Sequence, residues 1–420
     1  MQMANEPQQL GVYFEGQPVG MVAVDASGRF TFEYAYAWKS NRKAFAISRS
    51  LPLQGGDVQA NAGHAFFANL LPEGRVRELV ARHLGISQGN DFALLDALGG
   101  ECAGALVISR APPTPKAPSY RPLDEHEIAA LASRGHAFAE ISGTDGIRLS
   151  LAGAQDKLAV KVDGARLLLP EGDSPSTHIL KFANPDYKHL PENELFVTRL
   201  AGQCDIPTVS AELHAIGRTR HLLVRRYDRV IEADGTIHRL HQEDLCQALG
   251  VAPARKYEEE GGPRFDQCFG VVDEMSIEPA LDTRALLRWL VFNTIVGNAD
   301  GHAKNLSLLL GPKGEVRLAP FYDLLSTAVY PRIATRVAMT VSGKADPGQI
   351  AGKDWRTLAK AIGVGSYLED TVRELTEELP SKARQLTVEL KREHGGFAVT
   401  EVINTTIRKR ARRTGQLLKS

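Results

Sequence analysis

At 420 residues, with 43% hydrophobic residues, 24% charged residues and a formal net charge of zero, the chain has the composition of a globular protein of two or three domains. Balanced charge gives no long-range argument for nucleic acid or an anionic membrane as partner. No apolar run reads as long enough to span a bilayer, and the polar stretch 1–9 reads as no secretory signal. Cys102, Cys204, Cys246 and Cys268 are widely spaced without a metal-ligand pattern, so they read as free thiols of a cytoplasmic protein.

Residues 12–51 read as β structure. Phe30, Phe32, Tyr34, Tyr36 and Trp38 recur at every second position, and Gly16-Gln17 and Ser27-Gly28 supply hairpin turns. Such a stripe fits a core face or, as the rarer alternative, a stacking platform for nucleic acid. The period becomes helical over 64–98, interrupted at Leu70-Leu71-Pro72-Glu73-Gly74, and 105–109 reads as a further strand. The proline-rich segment 111–122 is expected to be an extended surface linker, because proline has no N–H to give a sheet or helix. A helix follows, with Asp124 and Glu127 placed as a capping box.

The stretch Leu149-Ser150-Leu151-Ala152-Gly153-Ala154-Gln155-Asp156-Lys157 leads into strands at 158–162 and 166–169. Small residues between strands let backbone N–H groups approach phosphate oxygens; a plain hairpin turn is the alternative. Residues 177–182 form a short strand with one lysine, Lys181. Glu192 and Glu194 then open a helix, where either could pair with that lysine or merely complement the helix dipole. Residues 222–229 read as a strand running into a connector. Beyond them the chain is mostly helical, at 243–249, 269–273, 283–296, 355–361, 368–383 and 398–418, with a short strand at 316–318.

Between two apolar stretches lies the polar loop 297–305, where Asp300 and Asn305 stand in the pattern D-x-x-x-x-N; Asp323 follows within 320–324. On their own Asn298, Asp300 and Gly301 would pass for an ordinary turn. Phosphate loop, strand lysine, helix glutamate, connector, D-x-x-x-x-N loop and downstream aspartate nevertheless come in the order a bilobal kinase requires. Phosphoryl transfer asks the protein mainly for alignment and charge neutralisation. Asp300 would orient or deprotonate the acceptor hydroxyl, Asn305 and Asp323 would hold Mg²⁺ through oxygen, and Lys181 and Lys304 would offset phosphate charge. His302 is expected to shape the loop. A metal hydrolase built on Asp300 and His302 lacks a third ligand at recognisable spacing.

The segments LSLAGAQDK (149–157), HILKF (178–182), NELFVTRLA (193–201), HQEDLCQALG (241–250), GNADGHAKNLS (297–307) and PFYDLLS (320–326) resemble those of HipA-type serine/threonine kinases, the toxins of type II toxin–antitoxin modules. VYFEGQPVG (12–20), FFANLLPEG (66–74) and DFALLDALGGECAGAL (91–106) resemble the family's N-terminal subdomain. The resemblance implies an α+β, bilobal protein-kinase-like fold with an N-terminal β-rich subdomain and a mainly helical C-terminal lobe. The expected divisions are 1–110 for that subdomain, 111–122 for a linker, 123–228 for the kinase N-lobe and 229–420 for the C-lobe.

It further implies ATP and Mg²⁺ as cofactors. Lys181 takes the place of the ATP lysine, Asp300 that of the catalytic aspartate, and Asn305 and Asp323 those of the Mg²⁺ ligands. Ala152, Gly153, Ala154, Gln155, Asp156 and Lys157 take the phosphate loop, Arg225, Arg226 and Tyr227 the hinge against adenine, and His302 and Lys304 line the same site. Ser150 matches a serine that family members autophosphorylate; phosphate there would set up to about two negative charges beside a loop meant for ATP's own phosphates. The implied partners are a small helix-turn-helix antitoxin of HipB type, operator DNA mainly through that antitoxin, and an aminoacyl-tRNA synthetase as substrate, glutamyl-tRNA synthetase in the best-known members, with translation arrest and dormancy as the outcome. No membrane is implied. The hinge departs from the family's usual Val-Glu-Arg-Phe-Asp-Arg, since Arg225 stands where an acceptor is common. That puts a side-chain contact to adenine in doubt, while backbone groups can still serve. The basic cluster Arg408, Lys409, Arg410, Arg412 and Arg413 reads either as a DNA contact beside an antitoxin or as a solvated helix end. The competing function is a catalytically weak or inactive co-repressor scaffold for a DNA-binding antitoxin.

Overall fold

The computed structural model describes residues 8–54, 61–113, 117–134, 155–184, 186–217, 219–333 and 335–419. Ser150, Ala152, Gly153 and Ala154, named above for the phosphate loop and its modification, lie outside the described residues.

The first unit contains β1 (Gln9–Phe14), β2 (Gln17–Val24), β3 (Phe30–Tyr34), α1 (Tyr36–Lys39), α2 (Ala62–Ala68), α3 (Gly74–His83), α4 (Asp91–Leu98) and β4 (Val107–Ser109). Its strands form an antiparallel sheet in the order β3-β2-β1-β4. The aromatic alternation ends at Tyr34: Tyr36 is 85% exposed, while Trp38 lies on α1, is buried, and donates its indole N–H to the Phe45 carbonyl. Phe30 and Phe32 pack on Phe67 of α2, so the stripe is a core face and not an open stacking platform.

The second unit begins with β5 (Ser119–Leu123) and α5 (Glu125–Arg134), and continues through β6 (Lys157–Asp163), β7 (Arg166–Glu171), β8 (His178–Lys181), α6 (Leu190–Gln203), β9 (Ala211–Ile216) and β10 (Thr219–Arg225). Its antiparallel sheet runs β5-β7-β6-β8-β10-β9. Here the structure corrects the linker expected over 111–122. Ser119–Leu123 is a paired strand, and it sits at the sheet edge, where Pro122 withholds no hydrogen bond from a further neighbour. Asp124 does cap α5, accepting from Glu127 N–H at 2.7 Å, but the Glu127 side chain pairs with Arg121 instead of closing a box.

The rest of the chain holds β11 (Arg229–Ile231), β12 (Ile237–Arg239), β13 (His241–Asp244), α7 (Leu245–Ala248), α8 (Phe265–Met275), α9 (Pro279–Val296), β14 (Ser307–Leu310), β15 (Val316–Leu318), α10 (Gly352–Ala361), α11 (Tyr367–His394) and α12 (Ala398–Leu417). The helix expected over 243–249 starts at Leu245, because Asp244 is its N-cap, in a capping box with Gln247, and the residues before it pair with β14. Residues 286–296 of α9 are buried all round, so that helix is the axis of the C-lobe core, packed against α6, α8, α11 and α12. Among the described residues no helix is long and apolar enough to cross a membrane.

Buried ion pairs and hydrogen bonds dock the first unit onto the rest of the chain at two places. On one side Glu101, at the end of that unit, is fully buried against Arg226 (3.1 Å), Arg229 (2.7 Å) and Arg239 (2.5 Å). On the other, Glu243 accepts from the Ser48 hydroxyl at 2.6 Å and Arg49 N–H at 3.0 Å, and Gln247 donates to the Phe66 carbonyl at 2.9 Å. Residues of both contacts, Arg226 on one side and Gln247 on the other, line a common cleft.

Candidate active site

A cavity of about 870 Å³ opens between the six-stranded sheet and the C-lobe, lined by Lys157, Lys181, Asp300, Asn305 and Asp323 among others. Sheet register supplies its cationic wall. Lys157 on β6 lies directly opposite Lys181 on β8, and both are buried. Two like charges opposed across a ladder are unfavourable unless anions answer them, so the pair marks a place for negative charge. Helix α6 brings Glu194 to 2.5 Å from Lys181 Nζ, and Asp323 is that ammonium's second partner. Of the two glutamates open to this role, the structure selects Glu194; Glu192 turns to Arg220 at 3.7 Å.

Burial alone would push the Lys181 ammonium down, but Asp323 and Glu194 outweigh it and hold it above the usual lysine range. Burial likewise opposes ionisation of Asp323, yet Lys181 and Lys157 keep it below the ordinary carboxylate range. Glu194 is pushed up by burial, which Lys181 offsets only in part. Asp323 has φ of 52°, a left-handed conformation that costs a non-glycine residue on the order of 1–3 kcal/mol and tends to occur at functional sites.

The loop 297–305 hangs from the C-terminus of α9. Gly297, at φ 80°, ends the helix, and a Cβ there would meet the Ala328 methyl at 2.8 Å. Arg410 of α12 donates to the Thr294 carbonyl in the last turn of α9. That basic cluster is therefore not wholly a solvated end: Arg410 is half-buried and caps the helix that carries the loop. Within the loop Asn298 Oδ1 accepts from Asp300 N–H at 3.0 Å, and the Asn305 amide donates to the Asp300 carbonyl at 2.9 Å. The second bond uses the Asn305 nitrogen and leaves its oxygen lone pairs available. Asp300 itself is about half exposed, and its Oδ1 accepts from the Tyr257 hydroxyl at 2.6 Å. Burial and the nearby Asp300 raise the Tyr257 hydroxyl, so it stays protonated and donates. His302 is pushed down to about 4 by burial and is neutral at pH 7; its Nε2 is 3.7 Å from Asp300 and its ring meets the edge of Tyr257.

Not every residue singled out in the sequence reaches the cleft with a free group. Arg226 lines it, but its guanidinium is spent on Glu101, Asp228, the Cys102 carbonyl and the Ser176 hydroxyl, and its N–H donates to Thr177. Arg225 lines the cleft with an exposed side chain, and Tyr227 stacks on Tyr322 with centroids 5.8 Å apart. Gln155 lines it as well; Asp156 contributes a carbonyl that accepts from Phe182 N–H at 3.1 Å, outside the lining. Lys304 does line the cleft, but its ammonium is already held by Glu73 at 2.6 Å and the Asn69 carbonyl at 3.0 Å. Glu73, Lys256 and Tyr257 were invisible in the sequence as site residues, for no local pattern links them to a loop more than 40 positions downstream.

Asn305 and Asp323 offer only oxygen to a cation, the donor type and small number that Mg²⁺ accepts when substrate phosphates complete its shell. Among the described residues no His, Cys, Asp and Glu cluster of three could hold a metal by protein ligands alone. The two oxygen donors of Asn305 and Asp323 suit a cation delivered with a phosphate substrate.

A two-lobed cleft with a charge-paired strand lysine and a D-x-x-x-x-N loop defines a kinase-like phosphotransferase. Residues 149–385 match the family model of the HipA-like C-terminal domain and residues 10–109 that of the HipA N-terminal domain. The chain belongs to the HipA family and is a HipA-type kinase. Y4mE of Sinorhizobium fredii, which carries the name of a kinase, is 40% identical over 85% of this chain and 86% of its own length. The serine/threonine-protein kinase toxin HipA of Shewanella oneidensis is 31% identical over 82% of this chain and 81% of its own length. A solved structure of the Shewanella oneidensis toxin–antitoxin system, containing HipA, HipB and operator DNA, superposes with a TM-score of 0.84 at 27% identity, covering 98% of each chain.

Proposed function

We propose that the chain is an ATP-dependent serine/threonine protein kinase that serves as the toxin of a type II toxin–antitoxin module. The observation that carries this reading is the Lys181 ammonium held between Glu194 and Asp323 in the cleft that also presents Asp300 and Asn305. Lys181 and Lys157, which face each other across the sheet, would neutralise the inner phosphates of ATP. Asp300 would take over the hydroxyl of a serine or threonine: that oxygen bonds to the γ-phosphorus, the bond from phosphorus to the β–γ bridging oxygen breaks, ADP departs and the proton goes to Asp300. Mg²⁺, held by the Asn305 amide oxygen and the Asp323 carboxylate, would supply charge neutralisation between the phosphates. The Tyr257 hydroxyl holds one oxygen of Asp300, and the acceptor hydroxyl would use the other.

The finer readings belong to the same proposal. Autophosphorylation at Ser150 would silence the enzyme, a HipB-like antitoxin would hold it on operator DNA, and the target would be an aminoacyl-tRNA synthetase, glutamyl-tRNA synthetase first, with translation arrest and persistence in a cytoplasmic setting. Family membership and the toxin relative lend support to the toxin role. The competing co-repressor scaffold is disfavoured because Lys181, Asp300, Asn305 and Asp323 line one cleft and the lysine is charge-matched there. Expression without antitoxin tests it: the native chain should arrest growth and Asp300→Ala should not. Equal arrest by both would remove the kinase mechanism.

A further inference from the structure

Asn69 and Glu73 belong to the first unit, in the break between α2 and α3, yet both line the cleft of the second. Glu73 lies 2.6 Å from Lys304 Nζ in the catalytic loop and 2.8 Å from Lys256 Nζ, with all three side chains largely buried. Lys256 precedes Tyr257, whose hydroxyl rests on Asp300. One carboxylate from outside the kinase-like part therefore steadies the catalytic loop directly through Lys304 and indirectly through the Lys256–Tyr257 segment. Lys304 Nζ donates to the Asn69 carbonyl and is ion-paired with Glu73, while its side chain also lines the cleft. Burying Glu73 opposes its ionisation, but Lys304 and Lys256 prevail and hold it down to about 2, so it is an anion throughout the working range.

We propose that Glu73 is a positioning residue for phosphoryl transfer, by which the N-terminal unit fixes Lys304 and the Tyr257 segment in the geometry the catalytic loop needs. This rests on the kinase reading above. The N-terminal unit is on this view part of the enzyme and not only a docking platform. A lysine freed from its anchor can still meet phosphate, but at a wandering position, and misplacement of about 1 Å can cost about a hundredfold in rate.

The test uses the full chain, phosphatase-treated, with Mg-ATP and a mixed serine/threonine peptide pool, reading Asp300-dependent ADP release. Glu73→Gln keeps the shape and removes the charge; Glu73→Asp keeps the charge and withdraws one methylene. We expect kcat to fall roughly tenfold to a hundredfold in Glu73→Gln and less in Glu73→Asp, with the KM for ATP within about threefold of native. Combined with Lys304→Met, Glu73→Gln should add less than it costs alone, because the two share the Lys304 route and only the Lys256–Tyr257 route remains. Thermal unfolding confirms that each variant is folded. A kcat within twofold of native for both Glu73 variants, a change confined to the KM for ATP, or effects of Glu73→Gln and Lys304→Met that multiply would overturn the proposal. Native protein without any Asp300-dependent turnover would instead bring down the kinase reading, and this inference with it.

Discussion

Glu101→Gln is the substitution with the largest expected effect on stability. The native carboxylate is fully buried, receives Arg226, Arg229 and Arg239, and also accepts from the Ser176 hydroxyl at 2.8 Å and N–H at 3.0 Å. With Asp228 it makes two carboxylates against three guanidiniums, net +1; the substitution leaves net +2 in a dry site. Burial opposes its ionisation, but Arg229, Arg239 and Arg226 hold it down to about 2 from the usual 4.5. At about 1.4 kcal/mol per tenfold that difference is on the order of 3 kcal/mol, which agrees with the 3–5 kcal/mol typical of a broken buried pair. For cooperative units of this size, 3 kcal/mol lowers Tm by roughly 6–12 °C. Scanning calorimetry at pH 7 measures it. The sign with pH follows, since a carboxyl with a depressed folded-state value contributes fully above about 4.5 and loses that contribution as pH falls towards 2. The gap between native and variant should therefore close on acidification. A Tm within about 2 °C of native at pH 7, or a gap that widens in acid, would refute the argument.

Glu243 should behave with the opposite sign. Burial pushes it up to about 7 against the relief given by Ser48 and Arg49, so native stability should decline as pH rises from about 5 to 8, and Glu243→Gln should flatten that decline in the same calorimeter. Lys181→Met would leave Glu194 and Asp323 facing each other without the ammonium that bridges them; turnover should drop by roughly a hundredfold to a thousandfold while circular dichroism stays native-like, and a loss below tenfold would deny Lys181 its role.

What could be read in the sequence was what is local. Asp300 and Asn305 share one loop and are tied by one hydrogen bond, and Lys181 sits on a strand whose alternation is visible. Asp323 follows just after the β14–β15 hairpin. Glu73 and Glu101 could not be found that way: their partners lie 183 and 231 positions off for Glu73, counting Lys256 and Lys304, and about 125 off for Glu101 with Arg226. Residues 119–122 read as linker because proline suggests no strand, although an edge strand admits it. Tyr36 and Trp38 continued a period of two that the backbone abandons for α1. Arg410 looked like surface charge because nothing in α12 reveals that a neighbouring helix end needs a cap.

The most direct test of the central claim is transfer of the γ-phosphate itself. Purified chain incubated with Mg²⁺ and γ-labelled ATP should place label on serine or threonine of a protein acceptor, and the Asp300→Ala protein, equally folded and still binding ATP, should place none. Label transferred equally by both proteins, or by neither while the native chain binds Mg-ATP, would contradict the assignment of this cleft as a working kinase site.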